Sequence, residues 1–204
     1  ELAAKIMAVI PSVPTVLTSS ADNVAFNSQS RNLIANGLMA TNTAGLANGF
    51  AASSTGTLGT LSVAARADGR GNKQVIPFTF TAASQIVRYD FPNITGGIND
   101  GDTVFAEAEV SLVNPVNVRS VRFIATLTCE NTTVTCESNA LDSANDTNYD
   151  AGFTYLMRTE PVKYDAASMG AITSLQVVVY CGAGALTSGS GSLEISQAAV
   201  WRPV

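Results

Sequence analysis

The chain has 204 residues, of which 46% are hydrophobic and 13% charged, and its formal net charge is −5. This length holds one β-sandwich of ordinary size with a short extension, and the apolar content argues against disorder. Nucleic acid is not an expected partner, because phosphate backbones are met by concentrated basic charge and no lysine and arginine cluster is present. No apolar run is long enough for a membrane span and no leader with a cleavage site occurs, so we expect a soluble chain whose targeting signal lies outside it.

An amphipathic pattern opens the chain and stops at Pro11, because proline cannot continue a helix. The apolar residues on one helical side are Leu2, Ile6, Val9 and Ile10. A short helix of this kind needs a surface to pack on, so residues 1–11 are predicted to belong to a preceding domain of the same polypeptide. The alternative is a terminal helix that packs on the sandwich itself. Residues 12–30, rich in Ser, Thr and Asn, are predicted to be a linker.

Strand-like segments follow at regular spacing, each bounded by turn-forming residues. The predicted strands are 31–40, 61–67, 75–81, 85–92, 103–113, 119–130, 134–138, 151–158, 173–182 and 192–202. In 103–113, apolar side chains alternate with a second set that includes Glu107 and Glu109, which is typical of an antiparallel strand with one wet face. No long helix interrupts the series. Residues 31–204 are therefore predicted to form one all-β domain, an antiparallel β-sandwich.

Three cysteines and no histidine make a zinc site unexpected, because the usual soft ligands are too few. A hairpin turning at residues 132–133 would place Cys129 opposite Cys136, where a disulfide is sterically feasible. Two interpretations remain open: a disulfide formed in an oxidising compartment, or two half-buried reduced thiols. Cys181, at the end of a valine-rich strand, is predicted to be a small core residue.

Three runs of the sequence resemble the galactose-binding-like jelly rolls, a family dominated by carbohydrate-binding modules. The runs are Asn32-Leu-Ile-Ala-Asn-Gly-Leu-Met39, Asn99-Asp-Gly-Asp-Thr-Val-Phe-Ala-Glu-Ala-Glu-Val110 and Leu193-Glu-Ile-Ser-Gln-Ala-Ala-Val200. The likeness spans roughly residues 32–203. It implies a jelly roll whose first and last strands come from the two terminal runs, and a function in binding polysaccharide or another glycan.

The resemblance also bears on calcium, because many members of the family hold a structural calcium through an acidic residue in the last strand. Ser196 or Gln197 stands at that position here, and hard cations prefer carboxylate oxygens. No cofactor or metal is therefore expected, and Glu194 is the fallback ligand for a structural calcium. The leading helix and linker are similar to the junction that follows SGNH/GDSL-type hydrolase domains in bacterial and phage proteins.

The absence of histidine excludes Ser-His-Asp, Cys-His and histidine-metal arrangements. Glu107 and Glu109 lie on one strand face about 7 Å apart, whereas a glycosidase needs two carboxylates that face each other across the sugar. We therefore predict a solvated or ligand-contacting face at these two residues, and a chain that is not an enzyme.

The wet face of the strand at 103–111 is the predicted ligand-binding surface. Planar carboxylates and guanidinium groups hydrogen-bond pairs of sugar hydroxyls, and an aromatic ring covers the apolar face of a pyranose. The candidate ligand-binding residues are Glu107, Glu109, Arg122, Arg88, Asp90, Arg158, Tyr180 and Tyr155, with Gln176 beside them. Trp201 is predicted to serve packing.

Two functions are consistent with these features. The first is a non-catalytic carbohydrate-binding accessory domain of a larger secreted or phage-associated protein. The second is a structural or assembly domain of a virion or tail fibre, in which the helix and edge strands form a homo-oligomer such as a trimer. Both predict an extracellular or virion-associated location.

Overall fold

The computed structural model describes residues 30–138, 141–142 and 152–203. The predicted helix at 1–11 and all of the predicted linker except Ser30 lie outside the described residues. The strands are β1 Ser30–Asn32, β2 Asn42–Thr43, β3 Leu46–Ala47, β4 Ala51–Ser54, β5 Thr57–Leu58, β6 Ser62–Ala65, β7 Asn72–Phe80, β8 Ile86–Asp90, β9 Thr103–Val116, β10 Ser120–Cys129, β11 Thr133–Glu137, β12 Leu141–Asp142, β13 Phe153–Arg158, β14 Val162–Lys163, β15 Ile172–Gly182 and β16 Gly189–Pro203. The helix described here, α1 at Ala166–Met169, is too short to cross a membrane.

Two antiparallel sheets contain almost all of these strands. The first sheet has the order β13-β9-β16-β7-β5, with β6 also on β7, β1 on β16 and β14 on β9. The second sheet has the order β11-β10-β15-β8-β4, with β12 on β10, and β2 and β3 form a separate small hairpin. The predicted all-β antiparallel sandwich is confirmed.

The core lies between the two sheets, where alternate residues of each long strand are buried. Inward-facing side chains of the first sheet include Val110, Leu112, Leu193 and Ile195, and those of the second include Phe123, Leu127, Val177 and Val179. Each fully buried side chain of this size contributes about 1.5–3 kcal/mol to folding. Because the inner faces are fixed by this burial, the alternate residues of the same strands must face outward.

The two terminal runs, predicted to be the first and last strands, lie side by side in the structure. The Leu33 amide donates to the Val200 carbonyl at 2.8 Å, and the Ala198 amide donates to the Gly37 carbonyl at 2.9 Å. Glycine is required at position 37, because a Cβ there would come within 2.1 Å of the Ala198 oxygen.

The predicted first strand at 31–40 is wrong beyond Asn32, where β1 ends. The Asn32 Oδ1 accepts hydrogen bonds from the amides of Ile34 and Val200 at 2.9 and 3.1 Å. A side chain thus takes the place of a strand partner, and the chain turns at residues 35–38.

Of the two interpretations left open for Cys129 and Cys136, the structure contradicts the disulfide and agrees with reduced thiols, because all three cysteines are free. The hairpin turns at residues 130–131, where the Cys129 amide donates to the Thr132 carbonyl at 2.8 Å, and Cys136 lies opposite Ala125. The four-residue offset between Ala125 and Cys129 corresponds to about 13 Å along the strand, whereas a disulfide needs Cα atoms within about 7 Å. Cys181 is fully buried, as predicted for a core residue.

Candidate functional site

All of the sequence-predicted site residues except Tyr155 divide between two surfaces. The outer face of the first sheet carries Glu107, Glu109 and Arg158, since Glu107 pairs with Arg158 and both lie on the side opposite the core. The outer face of the second sheet carries Arg88, Asp90, Arg122, Tyr180 and Gln176. The expectation that these side chains could share one face is wrong. Strand alternation permits it, but β8, β10 and β15 belong to the opposite sheet.

Tyr155 lies on neither outer face. It pairs with Val110, whose side chain points into the core, so Tyr155 points to the inner side of the first sheet at its β13 edge. Its ring contacts Phe153 at a centroid distance of 5.0 Å and stays 51% exposed.

A polar cavity of about 250 Å³ opens on the outer face of the first sheet. We call it the basin and define it by Arg66, Asp68, Lys73, Glu109, Glu194 and Ser196. Glu109 and Ser196 are cross-strand partners on β9 and β16, and Lys73 stands beside Ser196 on β7. The turn that joins β6 and β7 brings Arg66 and Asp68 over the same place.

Arg66 organises one side of the basin. Its side chain is only 10% exposed, and Nη1 and Nη2 donate to the two oxygens of Glu109 at 2.7 and 3.0 Å. Nε and Nη2 donate to the two oxygens of Asp68 at 2.9 and 2.6 Å, and Nη1 also donates to the Ser196 hydroxyl. The two carboxylates are therefore fixed by charge-assisted, bidentate hydrogen bonds.

The electrostatics of this group follow from the same contacts. Hydrogen bonds from the Arg66 guanidinium and the Arg70 amide hold the pKa of Asp68 well below its usual value. The Asp68 and Glu109 carboxylates in turn raise the pKa of Arg66, against the opposing effect of burial. Arg66 and Asp68 therefore remain charged at any ordinary pH.

The opposite wall of the basin is formed by Lys73 and Glu194, whose Nζ and Oε2 are 2.6 Å apart. At the rim, the hydroxyls of Ser111 and Thr154 are hydrogen-bonded at 2.9 Å. Glu194, the fallback calcium ligand, thus carries an ammonium partner. Among the described residues, no three His, Cys, Asp or Glu side chains, those of the basin included, are placed so that they could hold one metal ion together.

An aromatic pair lies on the same outer face as the basin, beyond Glu107 on β9. Phe105 and Trp201 are cross-strand partners on β9 and β16, and both are half-buried. The Arg158 guanidinium lies 4.8 Å from the centre of the Phe105 ring, and its Nε donates to Glu107 at 2.7 Å. From Phe105 to Glu109 the strand covers about 14 Å, so rings and fixed polar groups follow one another along a single face.

The strand beneath this surface is irregular. The β9–β16 register shifts between Ser196 and Ala199, and Gln197 inside the shift has a φ of 51°, in the left-handed region. A bulge re-aims the side chains on either side of it, and such strained positions concentrate at binding sites. Here the bulge separates Ser196 in the basin from Trp201 in the aromatic pair.

The outer face of the second sheet uses similar residues differently. Arg88 donates to both oxygens of Asp90 at 2.8 Å and lies 5.6 Å from the centre of the Tyr180 ring. Arg122 pairs with Glu137. These ion pairs flank the apolar side chains of Ile124 and Val178, which are cross-strand partners at the centre of the face. The charged side chains therefore cover apolar surface.

Sequence reasoning missed Arg66, Asp68 and Lys73, which lie around the segment that it read only as a turn. The sequence did contain a signal for these residues. A tight turn between two paired antiparallel strands brings its two ends together, and Arg66 and Lys73 stand at those ends. Trp201 was assigned to packing, but its pairing with Phe105 places it on the outer face.

No protein-family model and no curated protein matches the sequence. Similar solved structures include a carbohydrate-binding module of the β-sandwich superfamily, at 9% identity and a TM-score of 0.49, covering 77% of this chain and 58% of that one. The enzymatically active domain of bacteriophage CBA120 tailspike protein 4 has 9% identity and a TM-score of 0.48, covering 84% and 21%. TmCBM61 in complex with β-1,4-galactotriose has 10% identity and a TM-score of 0.43, covering 84% and 99%. At these values the likeness carries no argument about function, which must come from the side chains.

Proposed function

We propose that this chain is a non-catalytic carbohydrate-binding domain and that its ligand site is the outer face of the first sheet. The observation that carries the proposal is the basin, a polar cavity of about 250 Å³ on the same outer face as the Phe105 and Trp201 pair, which lies about 14 Å further along β9. Fixed planar carboxylates hydrogen-bond hydroxyl groups, while rings cover the apolar face of a sugar. Small-ligand sites combine apolar contact with a few preorganised polar groups in this way.

The wider context is part of the same proposal. The resemblance of the terminal runs to galactose-binding-like jelly rolls supports an accessory domain of a larger secreted or phage-associated protein. An extracellular or virion-associated location follows from that role. The sequence immediately upstream of Glu1 tests it, since a hydrolase domain there supports the accessory role and a fibre-forming repeat contradicts it.

Screening the chain on a glycan array, followed by titration calorimetry of the best glycan, tests the binding function. The two outer faces offer a matched pair of variants, because Phe105 and Tyr180 are each half-buried rings beneath an arginine. The Arg158 side chain, which is 58% exposed, moves off the Phe105 ring when a sugar stacks on it. Phe105→Ala is then expected to weaken binding about tenfold, the value of an aromatic contact of about 1.4 kcal/mol. Tyr180→Ala is expected to leave binding unchanged.

Two outcomes contradict this proposal. Absence of any glycan that binds the wild-type chain overturns the function. Loss of binding in Tyr180→Ala with full binding in Phe105→Ala moves the site to the second sheet, where Arg88, Asp90 and Arg122 would form it.

Assembly is the second candidate, and the edge strand β13 favours it. Tyr155 and Leu156 are 51% and 61% exposed on this edge, and exposed apolar side chains on an edge strand are suited to pairing with another chain. Analytical ultracentrifugation is expected to give a trimer that Leu156→Lys dissociates. A wild-type monomer at high protein concentration would contradict assembly through this edge.

A further inference from the structure

The numbers of free hydrogen-bond donors and acceptors in the basin indicate which kind of sugar it binds. The inference rests on the proposed function, since it concerns the ligand of the same site. The starting point is Arg66, the most enclosed charged group of the basin at 10% exposure.

Arg66 has no donor left for a ligand. A guanidinium carries five N–H groups. Five hydrogen bonds leave Arg66, two to Asp68, two to Glu109 and one to Ser196. Arg66 is therefore a positioning residue, which holds two carboxylates in place and does not itself contact the sugar.

The carboxylates, by contrast, keep much of their accepting capacity. An ionised carboxylate has about four acceptor positions. Three are filled at Asp68, two at Glu109 and one at Glu194 by the hydrogen bonds from Arg66, Arg70 and Lys73. The basin accordingly offers acceptors in excess of donors.

The charges of the basin point the same way. The basin is lined by three carboxylates and two cations, Arg66 and Lys73, and each cation already contacts a carboxylate. Arg70 adds a positive charge near Asp68 but does not line the basin. A ligand with a negative charge would have to share Lys73 with Glu194 while approaching Asp68 and Glu109. A ligand with an ammonium group supplies three donors and no acceptor, and its hydrogen bonds to carboxylates are about twice as strong as neutral ones.

We propose that the basin selects its sugar by charge, taking an amino sugar with a free ammonium most tightly, a neutral sugar next, and excluding sugar acids. Asp68, Glu109 and Glu194 are the selecting groups, and Arg66 positions the first two.

The test uses the whole chain and two sets of monosaccharides, in which an ammonium replaces the 2-hydroxyl of the neutral sugar or a carboxylate replaces its 6-hydroxymethyl group. One set is glucosamine, glucose and glucuronate, and the other is galactosamine, galactose and galacturonate. Binding is measured by NMR, from the chemical shift changes of the backbone amides. The pH is about 6, below the usual pKa of an amine, so that the amino sugars carry an ammonium group. In at least one set we expect the ammonium sugar to bind roughly tenfold tighter than the neutral sugar, with no saturable binding of the acid.

A matched pair of variants separates the basin from the general attraction between a negative protein and a cation. Glu109→Gln and Glu137→Gln each remove one carboxylate that is paired with an arginine on an outer face. Glu109→Gln is expected to bring the ratio of ammonium to neutral affinity close to one, while Glu137→Gln leaves it at roughly ten. Asp68→Asn repeats the test at a more exposed carboxylate if Glu109→Gln does not fold.

The proposal is overturned if a sugar acid binds as tightly as its neutral partner, if no sugar of either set binds, or if both glutamate variants lower the ratio equally. The proposed function is judged separately by the glycan array. Glycan binding there together with no charge preference here removes the selectivity and leaves the binding function in place.

Discussion

The two outer faces of the sandwich are built from the same residue types but differ in how those residues are arranged. Each has a half-buried ring beneath an arginine, Phe105 with Arg158 on the first sheet and Tyr180 with Arg88 on the second. On the first sheet, charged side chains line a cavity in which one arginine joins two strands and a turn. On the second, two ion pairs flank Ile124 and Val178.

Strand regularity explains the difference. The β10–β15 ladder keeps one register from Ser120 to Thr128. Its outward-facing side chains therefore form regular cross-strand pairs that pack against one another. The β9–β16 ladder shifts register twice, and one shift lies between Ser196 and Ala199 beside the basin. A bulge bends its strand and redirects side chains, which leaves space that a regular ladder fills. Ligand space on a sheet therefore depends on ladder irregularity as well as on residue type.

The largest expected effect comes from the contact that supports the irregular ladder. Gly37→Ala would place a Cβ within 2.1 Å of the Ala198 carbonyl, inside the bulge. We expect the free energy of unfolding to fall by more than about 2 kcal/mol, and glycan binding to be lost, because the backbone must shift. Gly96→Ala is the control, since nothing lies within 4 Å of its Cβ. Equal urea midpoints for the two variants would contradict a structural role for this contact.

Removing the central arginine of each face is expected to give the next largest contrast. Arg66→Ala leaves Glu109 and Asp68 facing each other without their shared cation, and we expect a loss of about 2 kcal/mol, reduced from the fully buried case by partial exposure. Arg122→Ala, whose side chain is 46% exposed, is expected to cost less than about 1 kcal/mol. Urea unfolding measures both, and equal losses would show that the basin is no more tightly organised than the second face.

Acid sensitivity sharpens the same comparison. The pKa of Asp68 is lowered by hydrogen bonds from Arg66 and then from the Arg70 amide, and the pKa of Glu137 is lowered by Arg122. A lowered folded-state pKa adds stability that is complete above the unfolded pKa, about 4, and is lost as pH falls through the folded value. The free energy of unfolding of the wild type should fall as the pH drops below about 4. We expect this fall to be smaller in Arg66→Ala than in Arg122→Ala. Urea unfolding at a series of acid pH values measures the free energy of unfolding of each variant. Identical pH profiles for the two variants would contradict a stronger contribution from Asp68.

The smallest expected effects are at paired hydroxyls on the two faces. Thr154 contacts Ser111 at the rim of the basin, and Thr126 contacts Thr135 on the second sheet. Thr154→Val and Thr135→Val are each expected to change stability by less than about 0.5 kcal/mol, because exposed hydroxyl pairs contribute little. Only Thr154→Val is expected to weaken glycan binding, by a few fold in calorimetry. A larger loss in Thr135→Val would place the ligand on the other face.

Several parts of this arrangement follow from local sequence patterns. The alternation around Glu107 and Glu109 predicts a strand with one wet face, and burial of the intervening residues is sufficient to orient both glutamates outward. The resemblance to known jelly rolls predicted that the terminal runs form the first and last strands, but only the structure showed that these strands pair. The cysteine hairpin was not predicted correctly, because placing its turn two residues later changes every cross-strand partner, and Cys136 then lies opposite Ala125 and not Cys129.

The sequence by itself determined an all-β sandwich, the outward direction of its charged side chains and the absence of histidine chemistry, because these depend on composition and on a two-residue period. Only the tertiary structure decided which charged residues meet. Alternation states that Arg88 and Glu109 both face outward, but strand order places them on opposite sheets. Likewise, Arg66 is 43 positions from Glu109 and 130 positions from Ser196 along the chain. Only long-range strand pairing and a bulge bring these three residues together.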